Sequence, residues 1–393
     1  MDSERHSRVR KALGRAGLDL LVCRMPENVL FLSGYWPLAG VSILLFPVDA
    51  DPVCIVPGTE EQEAAAGLNG IRCIAYPAGT LAAGDPQAAV TRILAEQATR
   101  LRVRRVGIEG SFESMAPPVN AAEPALPTEA GFSQLRNAFH GSELKDATGL
   151  LYELRAIKTE QEAERIRIVN EIAAFGLAAF ARHVQPGVRG VDLLAEVEHE
   201  LVVKGTGYRG ARHVRGFAQV STGPAETSVG FRPCEISSTR RLEAGDIALL
   251  ELAVTADGYW SDRTRPFVAG KPTAEQIRLF DLVARAQDAA IHAIRPGVRA
   301  GQVDAAARAV LEEAGLGTEF LHITGHGTGF RYHEPIPIIA PGSEVVLEAG
   351  MVFTVEPGVY SGLFGGIRIE DNVLIGPRGA EVLGPAERRL SGP

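Results

Sequence analysis

The chain of 393 residues holds only four cysteines, Cys23, Cys54, Cys73 and Cys234, and no two are spaced as CxxC. That speaks against a thiol-based metal or redox motif. The apolar runs Leu20-Leu21-Val22-Cys23 and Val53-Cys54-Ile55-Val56 mark buried small hydrophobes instead. Excess positive charge is missing too: the net charge is −8, and only five of the 40 cationic residues are lysine. Phosphate contacts need a clustered basic surface, so nucleic acid is not an expected partner. No apolar run approaches the roughly 20 residues that cross a bilayer. The charged start Met1-Asp2-Ser3-Glu4-Arg5-His6 leads into a helical pattern rather than an apolar signal core. A soluble, cytoplasmic protein with no membrane partner is expected. The first 155 residues carry no phosphate-cradling glycine motif, which leaves nucleotide binding without support.

What is present is a globular composition, 46% hydrophobic and 22% charged. At roughly 150 residues per domain the length suits two or three domains. The pattern divides at two, 1–155 and 156–393. In the first, a short amphipathic helix (8–16) stops at Gly17, a buried strand follows (18–23), and 41–48 with 53–57 read as a hairpin pair. A helix over 87–101 leads into a strand at 103–108, and 116–127 is proline-rich loop. The second domain opens on a capping box, Thr159 with Glu162, and a helix to about residue 183 whose apolar face is Ile166, Val169, Ile172, Ala173 and Phe180.

Here the sequence repeats itself. Val184-Gln185-Pro186-Gly187-Val188-Arg189 returns as Ile294-Arg295-Pro296-Gly297-Val298-Arg299. Each copy follows a long helix, the second with its own capping box at Thr273 and Gln276, and each precedes another amphipathic helix (191–204, then 303–314). Leu242-Glu243-Ala244-Gly245 returns as Leu347-Glu348-Ala349-Gly350, and seven residues beyond Ala244 and Ala349 stand Glu251 and Glu356. A duplicated helix–helix–strand unit explains this economically. A pseudo-twofold between the copies would bring equivalent strands together at the centre.

Both glutamates interrupt apolar strands, Ile247-Ala248-Leu249-Leu250-Glu251-Leu252 and Met351-Val352-Phe353-Thr354-Val355-Glu356. A carboxylate buried there is costly unless neutralised. Asp262 and Glu370 follow downstream, and four converging carboxylates call for one or two divalent cations. The alternative is a buried network with Arg265 and Arg368. His326 stands between Gly325 and Gly327, which let the backbone approach a site closely, and His333 follows seven residues later. One imidazole could ligate metal while the other binds substrate or moves protons.

The run Gly325-His326-Gly327-Thr328-Gly329-Phe330-Arg331-Tyr332-His333-Glu334-Pro335, with Glu356-Pro357-Gly358, Gly366-Ile367-Arg368-Ile369-Glu370-Asp371 and Asp262-Arg263-Thr264-Arg265, resembles the creatinase, aminopeptidase P, prolidase and methionine aminopeptidase superfamily (M24). Residues 17–22 and 28–35 resemble the amino-terminal domain of creatinases and aminopeptidases P. The resemblance implies an α+β protein: a small α/β creatinase-like N-terminal domain, then a pita-bread catalytic domain with an internal pseudo-twofold repeat. It also implies a homodimer, with Tyr35 and Trp36 of one subunit closing the partner's pocket. A dinuclear site is implied on Glu251, Asp262, His326, Glu356 and Glu370, holding two divalent ions, manganese first and cobalt or zinc as alternatives. Glu356 would take the proton from a metal-activated water, and His333 would stabilise the tetrahedral intermediate. Arg368 and His322 would orient ligands or substrate. The implied function is a metal-dependent hydrolase, an Xaa-Pro peptidase of the aminopeptidase P or prolidase type acting on small peptides. The alternative is a creatinase- or ectoine-hydrolase-like enzyme on a small non-peptide C–N substrate. A non-catalytic binding role is opposed by the retained acidic cluster.

Two positions depart from the family pattern. Glu251 stands where the family has aspartate, and the extra methylene moves the carboxylate by roughly 1.5 Å. Metal occupancy on the Glu251 side is therefore expected to fall. Gly230 occupies the place where peptidases of the family usually carry a histidine that holds the substrate. Weak turnover of Xaa-Pro dipeptides is expected, to be raised by combining Glu251→Asp with Gly230→His.

Overall fold

The computed structural model describes residues 3–38, 41–68, 70–79, 83–111, 128–232, 237–385 and 387–391; the proline-rich stretch 116–127 and Cys234 lie outside them. The chain divides into two compact units, Met1–Arg155 and Ala156–Pro393.

In the first unit the elements run α1 (Ser3–Ala16), β1 (Leu20–Cys23), α2 (Pro26–Ser33), β2 (Ile43–Pro47), β3 (Val53–Pro57), α3 (Glu61–Gly67), β4 (Arg72–Tyr76), α4 (Pro86–Leu101), β5 (Arg105–Ile108), α5 (Glu129–Ala138), β6 (Glu143–Asp146) and α6 (Thr148–Ala156). They build a six-stranded sheet in the order β4-β3-β2-β1-β5-β6. The expected hairpin is β2 with β3, antiparallel, while β3–β4, β1–β5 and β5–β6 are parallel. Every residue of β1, β2 and β3 is buried, so these strands read as unbroken apolar runs rather than alternating ones.

The second unit runs α7 (Glu160–His183), α8 (Gly190–Gly205), β7 (Val214–Thr222), α9 (Gly223–Thr227), β8 (Ile247–Ala256), β9 (Tyr259–Val268), α10 (Ala274–Ala293), α11 (Ala300–Glu313), β10 (Gly325–Gly327), β11 (Glu334–Ile339), β12 (Val352–Val355), β13 (Gly358–Ser361), β14 (Gly365–Arg368), β15 (Asp371–Ile375) and β16 (Ala380–Val382). Its sheets are β7-β8-β9, β11-β10-β12-β15-β16 and the hairpin β13-β14. Helices α7 and α10 begin where the capping pairs place them. Glu162 accepts the Thr159 N–H at 2.7 Å, and Gln276 accepts the Thr273 N–H at 2.8 Å.

The repeat is visible bond for bond. Gly187 N donates to Leu242 O and Gly297 N to Leu347 O, both at 2.8 Å. Gly245 N meets Ala269 O and Gly350 N meets Ile375 O, again both at 2.8 Å. Each copy turns at a left-handed glycine: φ is +90° at Gly187 and at Gly297, +91° at Gly245 and +90° at Gly350. Hairpin β8-β9 in the first copy thus corresponds to β12-β15 in the second. Leu250, Leu252, Val355 and Ile369 are fully buried beside the acidic positions. Each such side chain contributes on the order of 1.5–3 kcal/mol, which fixes the strands that present the carboxylates. Among the described residues no helix is long and apolar enough to cross a membrane.

Candidate metal centre and active site

Strand register decides which side chains meet. On β8 and β9, Glu251 lies opposite Thr264. On β12 and β15 the ladder ends at Val355 opposite Asp371, and one step further Glu356 and Glu370 come together in the same register. The backbone is therefore duplicated but the chemistry is not: Glu356 corresponds to Glu251, whereas Glu370 corresponds to Thr264. His326 enters from β10, whose Gly327 lies opposite Phe353 of β12.

The five expected ligands do converge. His326, Glu356 and Glu370 place one ligand atom each within 4.8 Å of the others, as do Glu251, Asp262 and Glu370, and also Asp262, His326 and His333. His326 Nδ1 lies 3.0 Å from the Gly327 carbonyl, an acceptor only, so this nitrogen carries the proton. Its bare Nε2 then faces Asp262 Oδ2 at 3.3 Å and Glu356 Oε1 at 3.5 Å. Thr354 fixes the arrangement by accepting the His326 N–H at 3.0 Å and donating to Glu356 at 3.1 Å.

So many acids cannot all ionise in a buried site. Burial, then the Glu370 carboxylate, drives the Asp262 carboxyl well up; burial and Glu356 do the same to Glu370. Burial pushes Glu356 up to about 7. Glu251 behaves oppositely. Burial works against its charge, but the Arg368 guanidinium and the Tyr332 hydroxyl hold it at about 2. The histidines are neutral: burial lowers His326 to about 4, His322 to about 3 and His333 to about 2.

Around this cluster Arg368 donates to Glu251, to the Thr264 hydroxyl at 3.0 Å, to the Tyr360 hydroxyl at 2.9 Å and to the Gly230 carbonyl at 3.2 Å. Thr264 sits 2.7 Å from Glu251 and 2.6 Å from Glu370, and its single proton serves one of them at a time. Tyr360 also meets His322 Nε2 at 3.0 Å. His322 Nδ1 lies 2.7 Å from the Ile323 carbonyl, so Nδ1 is protonated and Nε2 accepts from the tyrosine. His333 is half-buried, 4.0 Å ring to ring from His326, and its Nδ1 has no partner among the described residues. The segment carrying it is tied down by the fully buried Lys158, whose ammonium meets Glu334 at 2.8 Å.

Two positions singled out in the sequence are tightly packed. Tyr35 is 2% exposed within the first unit, its hydroxyl taken up by Glu60, and Trp36 beside it is half-buried. Gly230 is not a vacant place for a histidine. A Cβ there would come within 2.9 Å of the Leu249 side chain and 3.1 Å of the Thr227 carbonyl, so Gly230→His requires the backbone or Leu249 to move. Thr264, Tyr332, Thr354 and Tyr360 are contributors that sequence reading missed. Tyr332 had a visible signal in lying next to His333, and Tyr360 in lying four residues after Glu356.

Residues 164–377 match the model of metallopeptidase family M24, and residues 5–157 match the creatinase/prolidase N-terminal domain. The chain is 30% identical over 388 residues to an Xaa-Pro dipeptidase of Pyrococcus furiosus, covering 98% of this chain and 99% of that one. The prolidase structure from Pyrococcus horikoshii OT3 superposes with a TM-score of 0.79 at 26% identity, over 99% of this chain and 100% of that one. An Xaa-Pro dipeptidase structure from Bacillus anthracis gives 0.81 at 26% identity, over 99% of each chain. The chain belongs to metallopeptidase family M24.

As an M24 hydrolase it requires divalent metal, and its residues fit one. Ligands bound tetrahedrally at about 2.0–2.2 Å from a single ion stand about 3.4 Å apart. The separations from His326 Nε2, 3.3 and 3.5 Å, match that value and are long for hydrogen bonds. Asp262 Oδ1 and Glu370 Oε1 are buried without a partner among the described residues. In a protein such open carboxylate oxygens ask for a proton or a cation.

Proposed function

We propose that this M24 enzyme is an Xaa-Pro peptidase of the prolidase type, acting on small peptides with manganese as its preferred metal. The observation that carries the reading is the cluster in which Asp262 Oδ2 and Glu356 Oε1 face the same His326 nitrogen while Asp262 Oδ1 and Glu370 Oε1 lie buried without a partner among the described residues. The end-to-end likeness to a dipeptidase from Pyrococcus furiosus supports the substrate class.

Asp262, His326, Glu356 and Glu370 would hold a divalent cation, which would supply Lewis-acid polarisation of the scissile carbonyl and lower the pKa of water toward neutrality. The protein's own groups do the rest. Glu356, oriented by Thr354, accepts the proton of the attacking water. His333, neutral and with an uncommitted Nδ1, donates an N–H to the oxygen that becomes negative in the tetrahedral intermediate. Arg368 holds Glu251 and, with Tyr360, orients His322 on the substrate side.

The test is proline release from Xaa-Pro dipeptides by the purified protein, with manganese and after chelation. Release that depends on the metal, slower than that of a typical prolidase because position 230 offers no side chain, is the expected result. Absence of cleavage with manganese, cobalt and zinc in turn would overturn the reading. We also propose that the enzyme is a cytoplasmic homodimer, on the strength of its family and of the free thiols Cys23, Cys54 and Cys73. Light scattering is expected to give twice the 41.9 kDa chain mass at micromolar concentration, and the monomer mass would count against it.

A further inference from the structure

Glu251 uses its oxygens differently from its acidic neighbours. Oε1 accepts the Tyr332 hydroxyl at 2.5 Å; Oε2 accepts the Thr264 hydroxyl at 2.7 Å and the Arg368 guanidinium. Tyr332 and Arg368, with the Thr264 proton whenever it is not given to Glu370, thus fill much of the four or so lone-pair directions that a carboxylate offers. Asp262 Oδ1 and Glu370 Oε1, in the same buried centre, have no partner among the described residues. Where an aspartate would stop short, the additional methylene carries the Glu251 carboxylate about 1.5 Å further out. There the phenol meets it. Tyr332 is itself immobilised, 7% exposed, with its ring 4.1 Å from His333 and 6.1 Å from Trp260. The charge of Glu251 is balanced as well, since its partner Arg368 is also buried.

The remaining acids also meet around His326, while Glu251 keeps one oxygen within 4.8 Å of Asp262 and Glu370. Asp262 and Glu356 stand 3.3 and 3.5 Å from the same His326 nitrogen, and Glu370 completes a triad with His326 and Glu356. We infer that Tyr332 and Arg368 hold Glu251 out of the metal shell, so that each chain carries one divalent ion, on Asp262, His326, Glu356 and Glu370, instead of the pair that the family pattern implies. This rests on the metal-dependent hydrolase reading and deepens it. Arg368 takes the place of the second cation as the positive charge facing Glu251. Tyr332 is then a positioning residue, acting on the centre through Glu251 and not on the substrate.

The experiment is a manganese titration of the chelator-treated, full-length protein, read as ions bound per chain by equilibrium dialysis and as the Mn(II) paramagnetic resonance spectrum. The unmodified protein is expected to take up one ion per chain with the spectrum of an isolated ion. Glu251→Asp, too short to reach Tyr332, is expected to take up two with the spectrum of an exchange-coupled pair. Tyr332→Phe frees one carboxylate oxygen and is expected to tighten binding of a second ion about tenfold or more. Two coupled ions in the unmodified protein would overturn the inference, as would both variants remaining at one ion. Should either variant fail to fold, the unmodified protein and the other variant decide. An unmodified protein that binds no ion overturns the metal-dependent reading itself, an outcome distinct from binding two.

Discussion

Glu356→Gln is expected to lower kcat by about 10³–10⁴ while leaving the protein folded. A positioned proton acceptor contributes about 10²–10⁴ to rate, and this residue is also placed to hold metal. The amide is nearly isosteric and can still accept the Thr354 hydroxyl, which now lies 3.1 Å from Glu356 Oε1. Packing is therefore preserved. Stability should move in the favourable direction in the metal-free protein. Because burial raises the Glu356 carboxyl to about 7 from an ordinary 4.5, its ionised form is penalised in the fold. The penalty is absent below about pH 4.5, where both folded and unfolded chains are protonated, and develops as pH rises to about 7. The neutral amide of the Glu356→Gln variant carries no such penalty. The variant's melting temperature without metal should thus exceed that of the unmodified protein at pH 8 and approach it near pH 5. A fall in kcat of less than about tenfold at saturating manganese would remove Glu356 from the role of proton acceptor.

Manganese affinity should fall steeply on acidification, by about tenfold per pH unit below about pH 7 and more steeply once a second proton must be expelled. Metal ligands bind in their deprotonated forms. The metal-free centre holds protons unusually well, with Glu356 raised to about 7 and Asp262 and Glu370 also raised well above the usual carboxylate range by burial and by the neighbouring carboxylates. Free metal at 100 times its dissociation constant stabilises a fold by about 2.7 kcal/mol. For a unit of this size that corresponds to a rise in Tm of about 5–10 °C. Thermal melts at one fixed manganese concentration, chosen to give that rise at pH 8, should show it shrinking by pH 6 and gone near pH 5. A manganese-induced shift that stays constant from pH 8 to pH 5.5 would show that the ligands are not competing with protons, and would place the ion elsewhere.

These expectations draw on residues of two kinds. Some were legible in the linear chain. Glu251 and Glu356 announce themselves by interrupting apolar strands, and the repeat places them at equivalent positions without any coordinates. His326 is marked by its flanking glycines, and Thr273 with Gln276 marks a helix start that the structure keeps. Such signals are local: a strand's period of two and a helix cap each depend on neighbours within a few residues. The proline-rich stretch 116–127 and the hairpin around 49–51 were read in the same local way; the structure bears out the hairpin, while the stretch lies outside the described residues.

Other contributors depend on pairings that no local pattern encodes. Lys158 meets Glu334 across 176 residues, and Arg368 meets Glu251 across 117. Nothing nearby in sequence shows that Glu60, 25 residues on, takes up the Tyr35 hydroxyl inside the first unit. Sequence alone determined the duplicated unit, the strands that carry the acids, and the identity of the five converging residues. Only the tertiary structure decided how their oxygens are shared out: Thr264 stands where the symmetry would put a second acid, and Tyr332 with Arg368 engages Glu251 while one oxygen each of Asp262 and Glu370 has no partner among the described residues. The physical reason is that alternation along a strand settles which face a side chain takes, whereas its partners are set by the register and depth at which distant strands pack. At a buried centre a shift of one carbon–carbon bond, about 1.5 Å, is enough to exchange one partner for another.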